Sequence, residues 1–378
     1  MRILLVGIML MMATGAGYGL WKTQFSSREP GSPERLELRS LLGGDNKGYA
    51  RVLAPRPLRI PSDFGAHPDF RNEWWYLTGN LSTPGGRRFG FEFTVFRIAL
   101  SPHPVRSPSA WATRQAYMAH FAVTDIMANR FYAYQRLERG AIGLAGVSNP
   151  PFKAWVDDWW LAGTRDPFPL RLQASEKGTA IRLTLQCGDG LLLQGSQGFS
   201  RKGPRPGNAS FYYSYPRLSA SGSVTVRGHR YKVGGAAWLD HEWSTSALGP
   251  DEVGWDWFGL QLDDGTDLTI YRLRRRDGSS GRFSAGTWRA SGGRVFHLGA
   301  RDFRLRPLAY WSSPKSRVRY PLRWRIDIPD RKAVITVSAA IPGQELNLAV
   351  RYWEGAVNVR ADIDGRAVGG VGYLELTG

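Results

Sequence analysis

Trp74-Trp75-Tyr76-Leu77-Thr78-Gly79-Asn80-Leu81 runs into a turn at Pro84-Gly85-Gly86 and returns as Phe89-Gly90-Phe91-Glu92-Phe93-Thr94-Val95-Phe96-Arg97. The returning arm alternates large apolar residues with small or polar ones, the period of a half-buried strand. The two arms predict an antiparallel hairpin. The same form recurs about 180 residues later, a spacing that marks a repeated domain. There Trp255-Asp256-Trp257-Phe258-Gly259-Leu260-Gln261-Leu262 turns at Asp263-Asp264-Gly265 and returns as Leu268-Thr269-Ile270-Tyr271-Arg272. Tyr76 matches Trp257, Leu81 matches Leu262, and Phe96-Arg97 matches Tyr271-Arg272. Further alternating runs lie at Leu170-Arg171-Leu172, Ile181 to Cys187, Val224-Thr225-Val226 and Tyr231-Lys232-Val233, separated by Gly-rich turns. Helical periodicity is nearly absent. The pattern predicts an all-β chain of two antiparallel barrel or sandwich domains. We place them at residues 60–245 and 246–378.

The residues before them differ in texture. Arg2 precedes an almost wholly apolar run from Ile3 to Ala16, the form of a targeting segment. Residues 1–22 are expected to be a signal peptide or a signal anchor, and both remain open because spanning a bilayer takes about 20 apolar residues. Residues 23–59 are polar and broken by Pro and Gly, which reads as a linker with one short helix over Glu34 to Leu42. Export to the periplasm or beyond is the expectation.

The 378 residues carry a net charge of +18 and a single cysteine, Cys187. One cysteine excludes an internal disulfide and a thiolate zinc site. Alternation places Cys187 on the apolar face of its strand, as a buried thiol. The basic charge is scattered, and export argues against nucleic acid as a partner. An anionic membrane surface is the partner that fits a basic exported protein, unless the arginines only solvate strand faces. The six histidines are dispersed in sequence. His241-Glu242 lacks the second histidine of a zinc motif, so neither metal nor cofactor is expected.

Candidate chemistry gathers at Trp238-Leu239-Asp240-His241-Glu242-Trp243, at the junction of the two domains. Acid, base and apolar wall are what proton chemistry on an apolar ligand requires. Asp240, Glu242, Asp256 and Glu73 all adjoin tryptophans, where burial would hold a carboxyl protonated. In a strand, Trp238, Asp240 and Glu242 share one face, and Leu239, His241 and Trp243 the other. His241 with Trp243 is the better pocket pair, leaving Asp240 and Glu242 to pair with Arg97 or Arg272. Trp75, Tyr76, Trp255, Trp257 and Tyr213 are candidate ligand contacts. His120 reads as a core histidine.

Several longer motifs carry a resemblance. They are Asn72-Glu-Trp-Trp-Tyr-Leu-Thr-Gly-Asn-Leu81, Ala119-His-Phe-Ala-Val-Thr-Asp125, Gly207-Asn-Ala-Ser-Phe-Tyr-Tyr-Ser214, Ala237-Trp-Leu-Asp-His-Glu-Trp243, Tyr352-Trp-Glu-Gly-Ala-Val357 and Gly372-Tyr-Leu-Glu-Leu-Thr-Gly378. With these the chain resembles the carotenoid 1,2-hydratase/AttH-like family, often labelled predicted secreted hydrolases. The resemblance implies two lipocalin-like domains and a hydrophobic ligand such as a lipid or isoprenoid. It also implies one of two roles: a hydratase-like lyase or hydrolase, or a non-catalytic carrier beside ABC transporter components. The hydratases' essential histidine and tryptophan fall on His241 and Trp243, and their tyrosine on Tyr271. Their proton-donating aspartate falls on Leu273, a departure that leaves Asp240 or Asp256 as substitutes. A network that only closes the junction, ligand binding without catalysis, and catalysis all remain open for this segment.

Overall fold

The computed structural model describes residues 46–164, 167–246, 248–249 and 251–378. The expected targeting segment and the helix over Glu34 to Leu42 lie outside the described residues. No helix among those described is long and apolar enough to cross a membrane.

The described residues form two antiparallel sheets, of 13 and 10 strands. In the first, strand Asn72–Ser82 pairs with Arg88–Ala99, and the sheet continues through Gln115–Asp125 to Arg130–Arg139. On its other side Asn72–Ser82 pairs with His229–Ser244, followed by Ala209–Val226, Thr179–Cys187 and Leu170–Glu176. The second sheet repeats this order. Glu252–Leu262 pairs with Asp267–Arg275 on one side and with Arg366–Thr377 on the other, and the latter pairs with Arg351–Ile363. Each sheet thus opens with the hairpin that the sequence repeat marks. The register refines the match. Trp257 stands opposite Tyr271, whereas Tyr76 stands opposite Thr94, so the counterpart of Tyr271 is Thr94 and not Phe96.

Alternation divides each hairpin between two environments. Trp75, Leu77, Phe89, Phe91, Phe93 and Val95 fill the first barrel. Phe258, Leu260, Leu262, Leu268 and Ile270 fill the second around Trp324 and Trp353. The opposite faces are largely shielded from water as well. Tyr76, Trp238, Trp257, Tyr271, Leu273, Ala356 and Tyr373 pack together as a third cluster between the sheets. The two barrels therefore stand back to back, and the strands at the seam are buried on both faces. This is why Glu92 and Thr94, polar members of an alternating strand, are as buried as the phenylalanines beside them. Polar contacts pin the seam: Asn80 Nδ2 donates to the Gly372 carbonyl at 3.1 Å, and Thr124 Oγ1 to Gln344 Oε1 at 2.8 Å.

Two expectations are corrected. Residues 46–59 are not a free tether. Val52 is buried in the first core, and the Thr245 hydroxyl and Asp69 carbonyl bind the Ala50 backbone. Cys187 is exposed, because its strand ends there at Gly188 and alternation no longer has a core to face. Desolvation still raises its pKa. One equivalent of a thiol reagent is therefore expected to label the native protein without denaturant, slowly at neutral pH and faster at alkaline pH. Labelling that requires unfolding would contradict the exposed position.

Candidate functional site

The strand His229–Ser244 is central because its two faces serve two different sites. His241 and Trp243 point into the first barrel, Asp240 and Glu242 into the seam.

The inward site is a closed chain of charges. Arg56 pairs with Asp63 at 2.8 Å, Asp63 with His67 at 3.1 Å, and His67 Nδ1 with Glu73 at 2.7 Å. Glu73 also takes Arg97 Nε at 2.7 Å and His241 Nε2 at 3.0 Å. Arg97 spends its other donors on Gln115 and on the His67 and Phe70 carbonyls. Trp243 stacks on His67 at 3.8 Å and Trp75 on His241 at 4.6 Å. Burial alone would raise Glu73, but the Arg97 charge and both histidines hold its carboxyl well below the usual range. Burial pushes His241 down, against Glu73. His67 is raised instead, since hydrogen bonds to Asp63 and Glu73 outweigh its burial. A neutral His241 with its proton on Nε2 donates to Glu73, and its Nδ1 lies 2.9 Å from Tyr213 Oη, whose single proton is divided between that nitrogen and the Asp63 carbonyl 3.1 Å away.

Metal was not expected, yet the fold brings donor atoms of His67, Glu73 and His241 within 4.8 Å of one another. Sequence dispersal hid this, because His67 arrives from the segment before the first strand. Each of these donors is already engaged, and the Arg97 guanidinium supplies the positive charge that a cation would bring.

The outward site is a cavity of about 100 Å³ between the barrels. Tyr76, Tyr212, Asp240, Trp257, Tyr271, Leu273, Tyr352 and Glu354 are buried in its wall, while Trp74, Phe96, Ile98, Trp255 and Glu375 keep some solvent contact. Of the residues singled out in the sequence, Asp240, Tyr271, Tyr76, Trp255 and Trp257 line it. His241, Trp243, Trp75, Tyr213 and Asp256 do not. The preference for the His241 and Trp243 face is therefore corrected: that face is filled by side chains, and the space lies on the Asp240 face. The two sites adjoin where the Glu73–Arg97 pair touches the cavity's edge.

Asp256 is locked by Arg272 at 2.5 Å and Arg274 at 3.0 Å. The expected pairing of Asp240 or Glu242 with Arg97 or Arg272 is not found, because both arginines serve acids in their own hairpins. Glu242 pairs instead with Lys202 at 3.1 Å, whose ammonium sits 4.0 Å from the centre of the Tyr271 ring. Asp240 has no such cation. It accepts from Tyr212 Oη at 2.6 Å, Ser214 Oγ at 2.5 Å and Trp238 Nε1 at 2.7 Å. Burial outweighs these donors and raises its pKa to about 7.

Sequence reading missed Lys202, Glu92, Glu354 and Glu375. All three glutamates are driven upward, by burial first. The negative charge of their neighbours adds to the rise. Glu354 and Glu375 had a signal, each a lone acid inside an aromatic motif, Tyr352-Trp353-Glu354 and Tyr373-Leu374-Glu375. His120 is buried and satisfied as expected, between Tyr352 Oη at 2.6 Å and Gln135. Desolvation lowers its pKa to about 4.

These shifts fix a pH dependence of stability. Asp240 binds its proton more tightly folded than unfolded, so its contribution is complete below its ordinary 3.8 and is lost as pH rises through about 7. Asp63 and Glu73 act oppositely: their contribution is complete above the ordinary carboxylate range and lost on acidification. The melting temperature is expected to peak between about pH 4.5 and 7, and Asp240→Asn to make the alkaline limb shallower, the remainder coming from Glu92, Glu354 and Glu375. A melting temperature that climbs steadily to pH 9 would contradict the assignment.

Two lipocalin-like β domains placed back to back, with an aromatic cavity at the seam, define the class. The chain belongs to the AttH-like family, whose model matches residues 51–378. It is similar to the crystal structure of an AttH protein from Nitrosomonas europaea, with 34% identity, a TM-score of 0.78, and coverage of 87% of this chain and 99% of that one. Kievitone hydratase from Nectria haematococca shares the fold, with 16% identity, a TM-score of 0.67, and coverage of 87% and 96%. No curated protein sequence matches the chain.

Proposed function

We propose that the protein binds one end of a hydrophobic molecule in the cavity at the seam and adds water to it by acid–base chemistry, as a hydratase-like lyase. The observation that carries this reading is the gathering of indole and phenol rings with buried carboxyls around one cavity, and burial raises the pKa of those carboxyls. Protonating an alkene needs a donor that still holds its proton at neutral pH beside an apolar ligand, and aromatic faces stabilise the cation that forms. Size decides how much of the ligand enters. An engineered apolar cavity of about 150 Å³ accommodates benzene, so a cavity of about 100 Å³ admits a branched chain end and excludes a whole polyene. Enzymes of other folds also hold a carboxyl neutral near pH 7, to act as a general acid or a hydrogen-bond donor. The fold shared with kievitone hydratase is compatible with this chemistry but carries no residue role across at 16% identity.

Incubation with acyclic terpenoid alkenes in ¹⁸O-labelled water tests the reading. Labelled tertiary alcohols are expected. A protein that binds such compounds without incorporating label would be a carrier, and the lyase reading would fall.

A further inference from the structure

Glu354 and Glu375 stand directly opposite one another on the paired strands Arg351–Ile363 and Arg366–Thr377. Cross-strand partners project from the same face with Cβ atoms about 4.5–5.5 Å apart. Both line the cavity, Glu354 in its buried wall and Glu375 with some solvent contact. Glu354 is 1% exposed, and its polar neighbours are neutral hydroxyls, those of Tyr76 and Tyr352. The Trp255 side chain plays the same part beside Glu375. Among the described residues no lysine, arginine or histidine pairs with either glutamate. A third carboxyl, Glu92 of the first barrel, adds its charge from behind and has one oxygen without a partner.

We propose, resting on the function above, that Glu354 and Glu375 share one proton and are the acid that protonates the ligand in this cavity. Two carboxylates this close cannot both ionise without strong repulsion, and burial penalises even the first charge. The other acids at the seam are committed elsewhere. Glu73 lies between Arg97 and two histidines, Asp256 is held by two arginines, and Glu242 by Lys202. Asp240 receives three donors, which orients it as an acceptor. Among the described residues that line the cavity, only Glu354 and Glu375 are two carboxyls set directly opposite each other on paired strands with no cation bound to either.

The step balances without an oxidant or cofactor. The Glu354 O–H bond and the alkene π bond break as a C–H bond forms at the less substituted carbon. The products are a tertiary cation, facing Tyr76, Trp255 and Trp257, and a fully ionised carboxylate pair, whose mutual repulsion the adjacent cation offsets until the proton returns. Water forms the C–O bond, and the proton it sheds returns to the pair. Alkene and water become an alcohol, and the acid is regenerated.

Infrared spectroscopy of the ligand-free protein, combined with turnover of Glu354→Gln and Glu375→Gln, tests the proposal. Glutamine keeps the shape of the neutral acid, so both variants should fold. The wild-type protein is expected to show a carboxylic C=O band that shifts in D₂O and persists at pH 7. In each variant that band disappears, or its midpoint falls by about one pH unit or more once the like charge is gone. Each variant should also lose about 100-fold or more of its hydration rate, while ligand affinity, read from tryptophan quenching, stays within about threefold of wild type. Carboxyls that all titrate in the ordinary range would overturn the shared proton. Undiminished turnover in either variant would overturn the donor role. If the wild-type protein hydrates nothing, the functional reading fails and the donor role with it, whereas the infrared result still decides the shared proton.

Discussion

Glu73→Ala is expected to destabilise the protein by about 3–5 kcal/mol, the cost of stranding a buried charge by removing its partner. Three groups depend on this carboxylate. Arg97 is 1% exposed and would keep its guanidinium in the core without a counter-ion. His241 would lose the acceptor at Nε2, and His67 the acceptor at Nδ1. The chain from Arg56 to Arg97 ties the segment before the first strand to three strands of the first barrel, so the loss should spread to that segment. Chemical denaturation monitored by tryptophan fluorescence measures it. A loss below about 1 kcal/mol, the range of an exposed ion pair, would show that the chain is not closed to water as described.

Trp257→Ala is expected to cost a comparable amount, about 3–5 kcal/mol for a buried tryptophan, and to disturb the seam as well as the second domain. Trp257 meets the Tyr76 ring at 5.3 Å and the Trp238 ring at 5.9 Å, and its indole N–H donates to Tyr212 Oη at 3.1 Å. Tyr212 in turn donates to Asp240. Truncation should therefore enlarge the cavity, free Tyr212 and weaken binding of small apolar ligands. Trp257→Phe should recover most of the stability, since it keeps a six-membered aromatic ring and loses the smaller pyrrole half with its hydrogen bond to Tyr212. Equal stability of the alanine and phenylalanine variants would mean that the ring contributes little and that the seam is looser than the packing indicates.

The two variants probe the inside of the first barrel and the seam between the two sheets, and that division also decides how much could be read in advance. Alternation in Phe89 to Val95 and the recurrence at Trp255 to Arg272 are local signals, and they specify strands, hairpins and the existence of two like domains. Alternation also separated Asp240 from His241 correctly. It could not say which face holds space. An outward-facing polar residue has the same alternation whether water or another barrel covers it, so alternation alone could not mark Glu92, Glu354 and Glu375 as buried. The charged chain through His67 was hidden for a related reason: residues far apart along the chain converge only after the barrel closes around Arg97. The Leu273 position, where the resemblance would place an acid, does line the cavity. An acid in this chain has to come from other strands of the seam, and no spacing rule within one hairpin reveals that.

The account rests on the seam as the ligand site. A crystal structure of the protein soaked with a brominated acyclic terpene alkene tests this most directly, because the anomalous signal of bromine locates the ligand independently of the fit. The account predicts the bromine between the barrels, within contact of Trp257 and Glu354, with the first barrel unchanged. Bromine inside the first barrel beside His241 and Trp243 would contradict it.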